Sequence, residues 1–84
     1  MRHSIEILRS AQKQLAKIDQ QQRPRLYQAI RKLADDPRPP GTKKLSGRAG
    51  WRIRVGSYRI IYEIHDDRLL VLVVAIGDRK EIYR

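Results

Sequence analysis

Residues 43–64 read KKLSGRAGWRIRVGSYRIIYEI. Two patterns overlap in this stretch. Trp51, Ile53 and Val55 alternate with Arg52 and Arg54, and residues two apart on a strand share a face. The apolar set therefore points into a core, and the two guanidiniums point to the opposite side. Gly56-Ser57 is a two-residue hairpin signal. It is followed by a partner strand, Tyr58 to Ile64, with Tyr58, Ile60, Tyr62 and Ile64 on one face and Arg59, Ile61 and Glu63 on the other. The second pattern is electrostatic. From Lys43 to Arg59 there are six basic residues (Lys43, Lys44, Arg48, Arg52, Arg54 and Arg59) and no acidic one. Arginine stays charged at any physiological pH, and its planar fork of donors suits phosphate. The stretch is expected to be an anion-binding surface. An alternative for Arg59 is a plain pairing with Glu63 along the same strand face.

Working outward, Leu69 to Ile76 is a continuous apolar run of strand length. It is expected to be a central strand covered on both faces and closed by Gly77. His65 to Arg68 is a polar turn. On the other side, Lys44 to Gly47 can form a short strand, and Asp35 to Gly41, with three prolines, is a firm stop and a short ordered connection. Before it lie two helical segments. In the first, Ser10 is the candidate cap and Ala11, Leu15 and Ile18 make the buried face. In the second, Pro24 opens the helix and Leu26, Tyr27, Ile30, Leu33 and Ala34 form one stripe. Arg23, Arg25, Arg31 and Lys32 are expected on the outer faces. His3 to Leu8 reads as a first strand. The predicted architecture is α+β: β-α-α-β-β-β(-β), with an antiparallel meander sheet of three or four strands and a helical hairpin packed on one face.

The chain has 84 residues, which is one domain, and a net charge of +10 from 19 basic and 9 acidic residues. The excess is present in both halves, so it belongs to the fold and not to a tail. Such a charge on so small a domain points first to nucleic acid and second to an acidic protein partner. There is no cysteine, so no disulfide and no thiolate metal site. His3 and His65 have no metal-ligand spacing, and no cofactor is expected. The N-terminus lacks an apolar signal core, and Leu69 to Ile76 is far too short to span a bilayer. A cytoplasmic location is the expectation.

The order W-R-I-R-V-G-S-Y-R-I-I-Y-E-I, the K-K-L-S-G-R-A-G before it, the apolar strand and I-G-D-R after it, and a late tyrosine resemble the RelE/ParE superfamily of bacterial type II toxins. The resemblance spans essentially the whole chain. It implies one of two activities: cleavage of messenger RNA in the ribosomal A site (RelE branch), or inhibition of DNA gyrase without nuclease chemistry (ParE branch). A passive basic RNA-binding module is a third possibility. The nuclease branch uses two basic residues on one strand, an arginine opening the next, an arginine after the last core strand and a tyrosine near the C-terminus. Matched residue by residue, these are Arg52 and Arg54, Arg59, Arg79 and Tyr83. The resemblance therefore implies catalytic roles for Arg59, Arg79 and Tyr83, and RNA contacts from Arg52 and Arg54, beside Lys43, Lys44 and Arg48. It also implies a cognate antitoxin and ribosome-bound messenger RNA as partners. One departure is chemical. The best-studied members carry lysines where this chain has Arg52 and Arg54, and a guanidinium does not give up its proton.

Overall fold

A computed structural model describes residues 2–47 and 49–78. Its elements are β1 (Ser4–Ile7), α1 (Arg9–Ala16), α2 (Arg23–Lys32), β2 (Lys43–Lys44), β3 (Trp51–Val55), β4 (Tyr58–His65), a 3-10 turn (Asp66–Arg68) and β5 (Leu70–Asp78). The strands form one five-stranded sheet in the order β1-β5-β4-β3-β2. From β2 to β5 it is the antiparallel meander that the hairpin signals predict. The first strand departs from that expectation. β1 runs parallel to β5, with Ile5 beside Val71 and Ile7 beside Val73, so the sheet is mixed. The helices between β1 and β2 carry the chain away, and their apolar stripes then cover one face of the sheet.

That face holds the core. Ala11 and Leu15 of α1, Ile18 beyond it, Leu26 and Ile30 of α2, and Leu33 after it pack on Ile60, Tyr62, Val71, Val73 and Ile76. The predicted helical faces are thus the buried ones, Tyr27 excepted, which is 46% exposed. Trp51, Ile53, Val55 and Tyr58 are half-buried against the same cluster. Val55 pairs with Tyr58 around Gly56-Ser57. Gly56 has φ +61°, the left-handed first position that a two-residue hairpin of the II′ kind requires.

Several local expectations are corrected. Ser10 does not cap α1. The helix opens one residue earlier, with Leu8 at the cap position and no side-chain cap. The N–H of Leu8 still donates to Val73 at 2.9 Å, so the sheet ladder runs directly into the helix. The Gln12 side chain instead donates to the Ile7 carbonyl at 2.8 Å. Arg23 does not extend from an outer helix face: it donates to the carbonyls of Ile18 (2.8 Å) and Ala16 (2.7 Å) and so caps the end of α1. The last strand starts at Leu70 because Leu69 adopts φ 49° to close the 3-10 turn, and it continues through Gly77 to Asp78. β5 is covered on one face only; Leu70, Leu72, Val74 and Ala75 are half-buried on or near the other. The short strand β2 is Lys43–Lys44 and ends before Leu45.

A β-bulge interrupts β4–β5. Ile61 pairs with Ala75 and Tyr62 with Val73, so Val74 is extra. The two-residue alternation slips there, which allows both Val73 and Ile76 to reach the core.

The proline-rich connection is held at several points. The Tyr62 hydroxyl, at the end of a core side chain, donates to the Pro37 carbonyl at 2.7 Å and lies 3.3 Å from Thr42 Oγ1. Burial pushes this phenol above its ordinary pKa. Arg38 donates to Asp66 at 3.0 Å, and its guanidinium lies 5.1 Å from the Trp51 ring centre. His3 Nε2 meets the other oxygen of Asp66 at 3.1 Å. Hydrogen bonds from Arg38 and then His3 hold the Asp66 carboxyl below the usual carboxylate range.

Two outcomes are expected. Because the folded pKa of Asp66 is depressed, its contribution is present above the unfolded carboxylate value of about 4 and is lost as pH falls through the lower folded value. Urea denaturation should therefore find Asp66→Asn less stable than wild type at pH 7 and equal to it near pH 2. Tyr62→Phe should cost about 1 kcal/mol in the same assay, the worth of one hydrogen bond.

Candidate nucleic-acid interface

In an antiparallel pair, residues directly opposite one another share a face. Arg54 stands opposite Arg59, Arg52 opposite Ile61, and Lys43 opposite Arg52. Since Ile60 and Tyr62 are buried under the helices, all of these lie on the other, helix-free face. Arg59 in turn faces Gly77 on β5. Lys43, Arg52, Arg54 and Arg59 converge with Gly41 around a cavity of about 290 Å³. No acidic residue is among the described residues that line it.

The members differ in setting. Arg54 and Lys43 are exposed and Arg52 is half-buried. Arg59 is only 4% exposed, so its stem is a packed part of the sheet surface as well as a charge. The pairing of Arg59 with Glu63 is not how Glu63 is used; the Glu63 carboxylate accepts from His65 Nε2 at 2.9 Å. This pair sits four to six residues further along β4. At roughly 3.3 Å per residue, it is well away from Arg59.

Not every expected residue arrives at the cavity. Lys43 and Lys44 are consecutive on β2 and must face opposite ways. Lys44 goes to the helix side, its ammonium 6.0 Å from the Trp51 ring centre. Arg48, Arg79 and Tyr83 lie outside the described residues. Arg31 and Lys32 line a different depression with Arg2, Gln28 and Asp35, and Arg25 packs against the Gly56 turn. Gly41 was not singled out as a site residue from sequence; a Cβ there would meet nothing within 4 Å, and only the loop path brings it to the cavity. Among the described residues, no group of three or more acidic, histidine or cysteine side chains is placed to hold a metal. No helix there is long and apolar enough to cross a membrane.

Chemically, the site is a set of fixed cations on a rigid sheet. Arg54 and Arg59 face each other with Cβ atoms roughly 4.5–5.5 Å apart. Like charges in that position weaken a sheet, and an anion between them relieves the repulsion.

The chain as a whole has counterparts among known proteins. Residues 5–83 match the family model described as the ParE toxin of the type II toxin–antitoxin system parDE. A RelE-like toxin protein of Escherichia coli is 26% identical, with 99% of this chain and 92% of the relative covered. The RelBE2 toxin–antitoxin complex of Mycobacterium tuberculosis superposes with a TM-score of 0.84 at 20% identity, covering 94% of this chain and 100% of the other. A mutant of the E. coli toxin RelE, bound to a peptide of the antitoxin RelB, gives 0.79 at 25% identity, covering 99% and 92%.

Anion binding at the cavity should be measurable without RNA. Inorganic phosphate at 100 mM should raise Tm relative to chloride at equal ionic strength, by roughly 4–8 °C for each kcal/mol of binding free energy. The Arg52→Ala/Arg54→Ala protein should lose most of that rise. Equal shifts in the two proteins would mean the cavity is not an anion site.

Proposed function

The chain belongs to the ParE toxin family, within the RelE/ParE superfamily of type II toxins, and from that premise we propose that it is a ribosome-dependent endoribonuclease that cuts messenger RNA in the A site. The observation that carries this reading is the convergence of Lys43, Arg52, Arg54 and Arg59 on one cavity of the open sheet face. A protein-directed inhibitor has no need to concentrate fixed cations around a cavity lined by no acid among the described residues. A phosphodiester transition state does need them.

Cleavage by an internal 2′-hydroxyl requires in-line alignment of that oxygen with phosphorus, stabilisation of the charge on the phosphoryl oxygens, and neutralisation of the leaving 5′-oxygen. Alignment alone can contribute on the order of 7–11 kcal/mol. Preorganised cationic donors supply much of the remainder. Arg59, held firmly by its burial, clamps the scissile phosphate. Arg52 and Arg54 hold the backbone on either side. Arg79 follows directly on Asp78, the last residue of β5, and stabilises transition-state charge. Tyr83 stacks on a base or orients the 2′-hydroxyl; such stacking is worth about 1–3 kcal/mol. The three guanidiniums of the cavity supply no general base, so free RNA is a poor substrate, and the ribosome provides the alignment by holding the message bent. A cognate antitoxin with an acidic segment over Lys43, Arg52 and Arg54 silences the protein by occupying the phosphate path. The related RelB complexes support the existence of such a partner.

The match to the ParE model favours a second reading, a gyrase inhibitor without nuclease chemistry. One experiment separates the two. Purified protein is added to a programmed translation mixture and message 3′ ends are mapped, beside a ribosome-free tube and Arg59→Lys and Arg79→Ala proteins. Arg59→Lys is preferred to alanine because Arg59 is a packed residue, and truncation would also unsettle the sheet. Cuts inside A-site codons are expected with ribosomes only, reduced roughly 10²-fold or more in both variants. Intact message together with loss of gyrase supercoiling would replace the nuclease by the inhibitor.

A further inference from the structure

The described lining of the cavity comprises three guanidiniums, one ammonium and a glycine. This composition has a chemical consequence. The 5′-oxygen leaves as a strongly basic alkoxide unless a proton reaches it. A guanidinium stabilises charge but does not release its proton in proteins. A primary ammonium does so more readily by roughly two to three powers of ten. Lys43 is the one described side chain at the cavity that can both carry positive charge and transfer a proton.

Its placement suits the task. Lys43 lies on the edge strand β2, opposite Arg52, on a flexible stem with three rotatable donors. It follows Gly41 and Thr42 and is itself exposed, and at Gly41, on the same cavity wall, a Cβ would meet nothing within 4 Å. The charged groups facing it are Arg52 and Arg54 from β3 and Arg59 from β4. Three other titratable groups among the described residues share this sheet face: Glu63 and His65 engage each other further along β4, and Glu6 lies opposite Leu72 on β1, at the far edge of the sheet from β2. Lys44 is turned to the other side over Trp51.

We propose that Lys43 is the proton donor of this site, delivering its ammonium proton to the leaving 5′-oxygen. The assignment rests on the nuclease reading above. In the step, the 2′-oxygen bonds to phosphorus and its proton passes to water. The bond between phosphorus and the 5′-oxygen breaks, and that oxygen takes the Lys43 proton. The products are a 2′,3′-cyclic phosphate and a 5′-hydroxyl. Lys43 is left as the amine and regains a proton from solvent.

The test uses Lys43→Arg, which keeps the charge and removes the transferable proton. On ribosome-bound message its cleavage rate should fall roughly 10²-fold or more, while affinity for the programmed ribosome changes less than about threefold, since the charge remains. The second substrate is the same message with sulfur replacing the bridging 5′-oxygen at the cut site. A thiolate leaves without a proton, so Lys43→Arg should cut it within about threefold of wild type, as expected if only proton delivery is lost. Lys43→Arg at the wild-type rate on the oxygen substrate would overturn the assignment while leaving the nuclease reading intact. So would equal impairment on both substrates, which would make Lys43 a phosphate contact only. A wild-type protein that cuts neither substrate would overturn the nuclease reading, and the assignment with it.

Discussion

The alternation of β4 is the constraint on which the rest depends. Ile60 and Tyr62 are fully buried beneath the two helices, and they cannot turn outward without emptying the core. Arg59 and Ile61 must then occupy the other face. Pairing with β3 carries the constraint across the sheet: Arg54 is forced opposite Arg59, Arg52 opposite Ile61, and Lys43 opposite Arg52. The cationic cavity is therefore a geometric consequence of apolar burial on the reverse side. A one-residue slip would scatter the cations and expose the core together, so the residues that stabilise the fold also guard the register of the site.

The approach to the cavity is a loop, and a loop needs to be held if it is to position a functional group. The connection after α2 is fastened by the Tyr62 hydroxyl at Pro37, by Arg38 between Asp66 and the Trp51 ring, and by the Thr42 hydroxyl beside Tyr62. The anchors come from the sheet and from the turn before β5, so the loop inherits the rigidity of the core. This delivers Gly41 and Lys43 to the open face. It also divides the consecutive lysines: Lys43 goes to the cavity and Lys44 to the Trp51 side. Charge at this edge of the molecule thus has two different uses, one in the site and one in holding the loop.

The arginine-rich character of the site limits the chemistry available to it. Guanidiniums hold phosphate in a defined orientation and stay charged whatever their surroundings, but their neutral form is too high in energy for them to act as proton donors or acceptors. A site built mostly from them is strong in positioning and electrostatic stabilisation and weak in acid–base work. That balance suits a protein whose substrate is already shaped by a larger machine. The cost is borne by the sheet, where like charges face one another across β3 and β4, and the extensive core on the opposite face offsets it.

Much of this was legible in the residues themselves. The alternation of Trp51 to Val55, the Gly56-Ser57 turn and the helical stripes at Ala11–Ile18 and Leu26–Ala34 are local patterns. Local patterns survive in sequence because each residue's face follows from its immediate neighbours. The joint placement of Arg52, Arg54 and Arg59 on one face follows from the same rule once the hairpin is recognised. What only the tertiary structure decided was non-local. The parallel pairing of β1 with β5 joins residues more than sixty positions apart, and nothing within β1 records its partner's direction. The bulge at Val74 lies in a run that is apolar throughout, so no change of pattern marks the slip that puts both Val73 and Ile76 in the core. Arg23, expected on an outer helix face, became the cap of α1 because the turn between the helices brought it within reach of free carbonyls. Residue type and spacing determined which groups could bind an anion; chain path and strand pairing determined which of them meet.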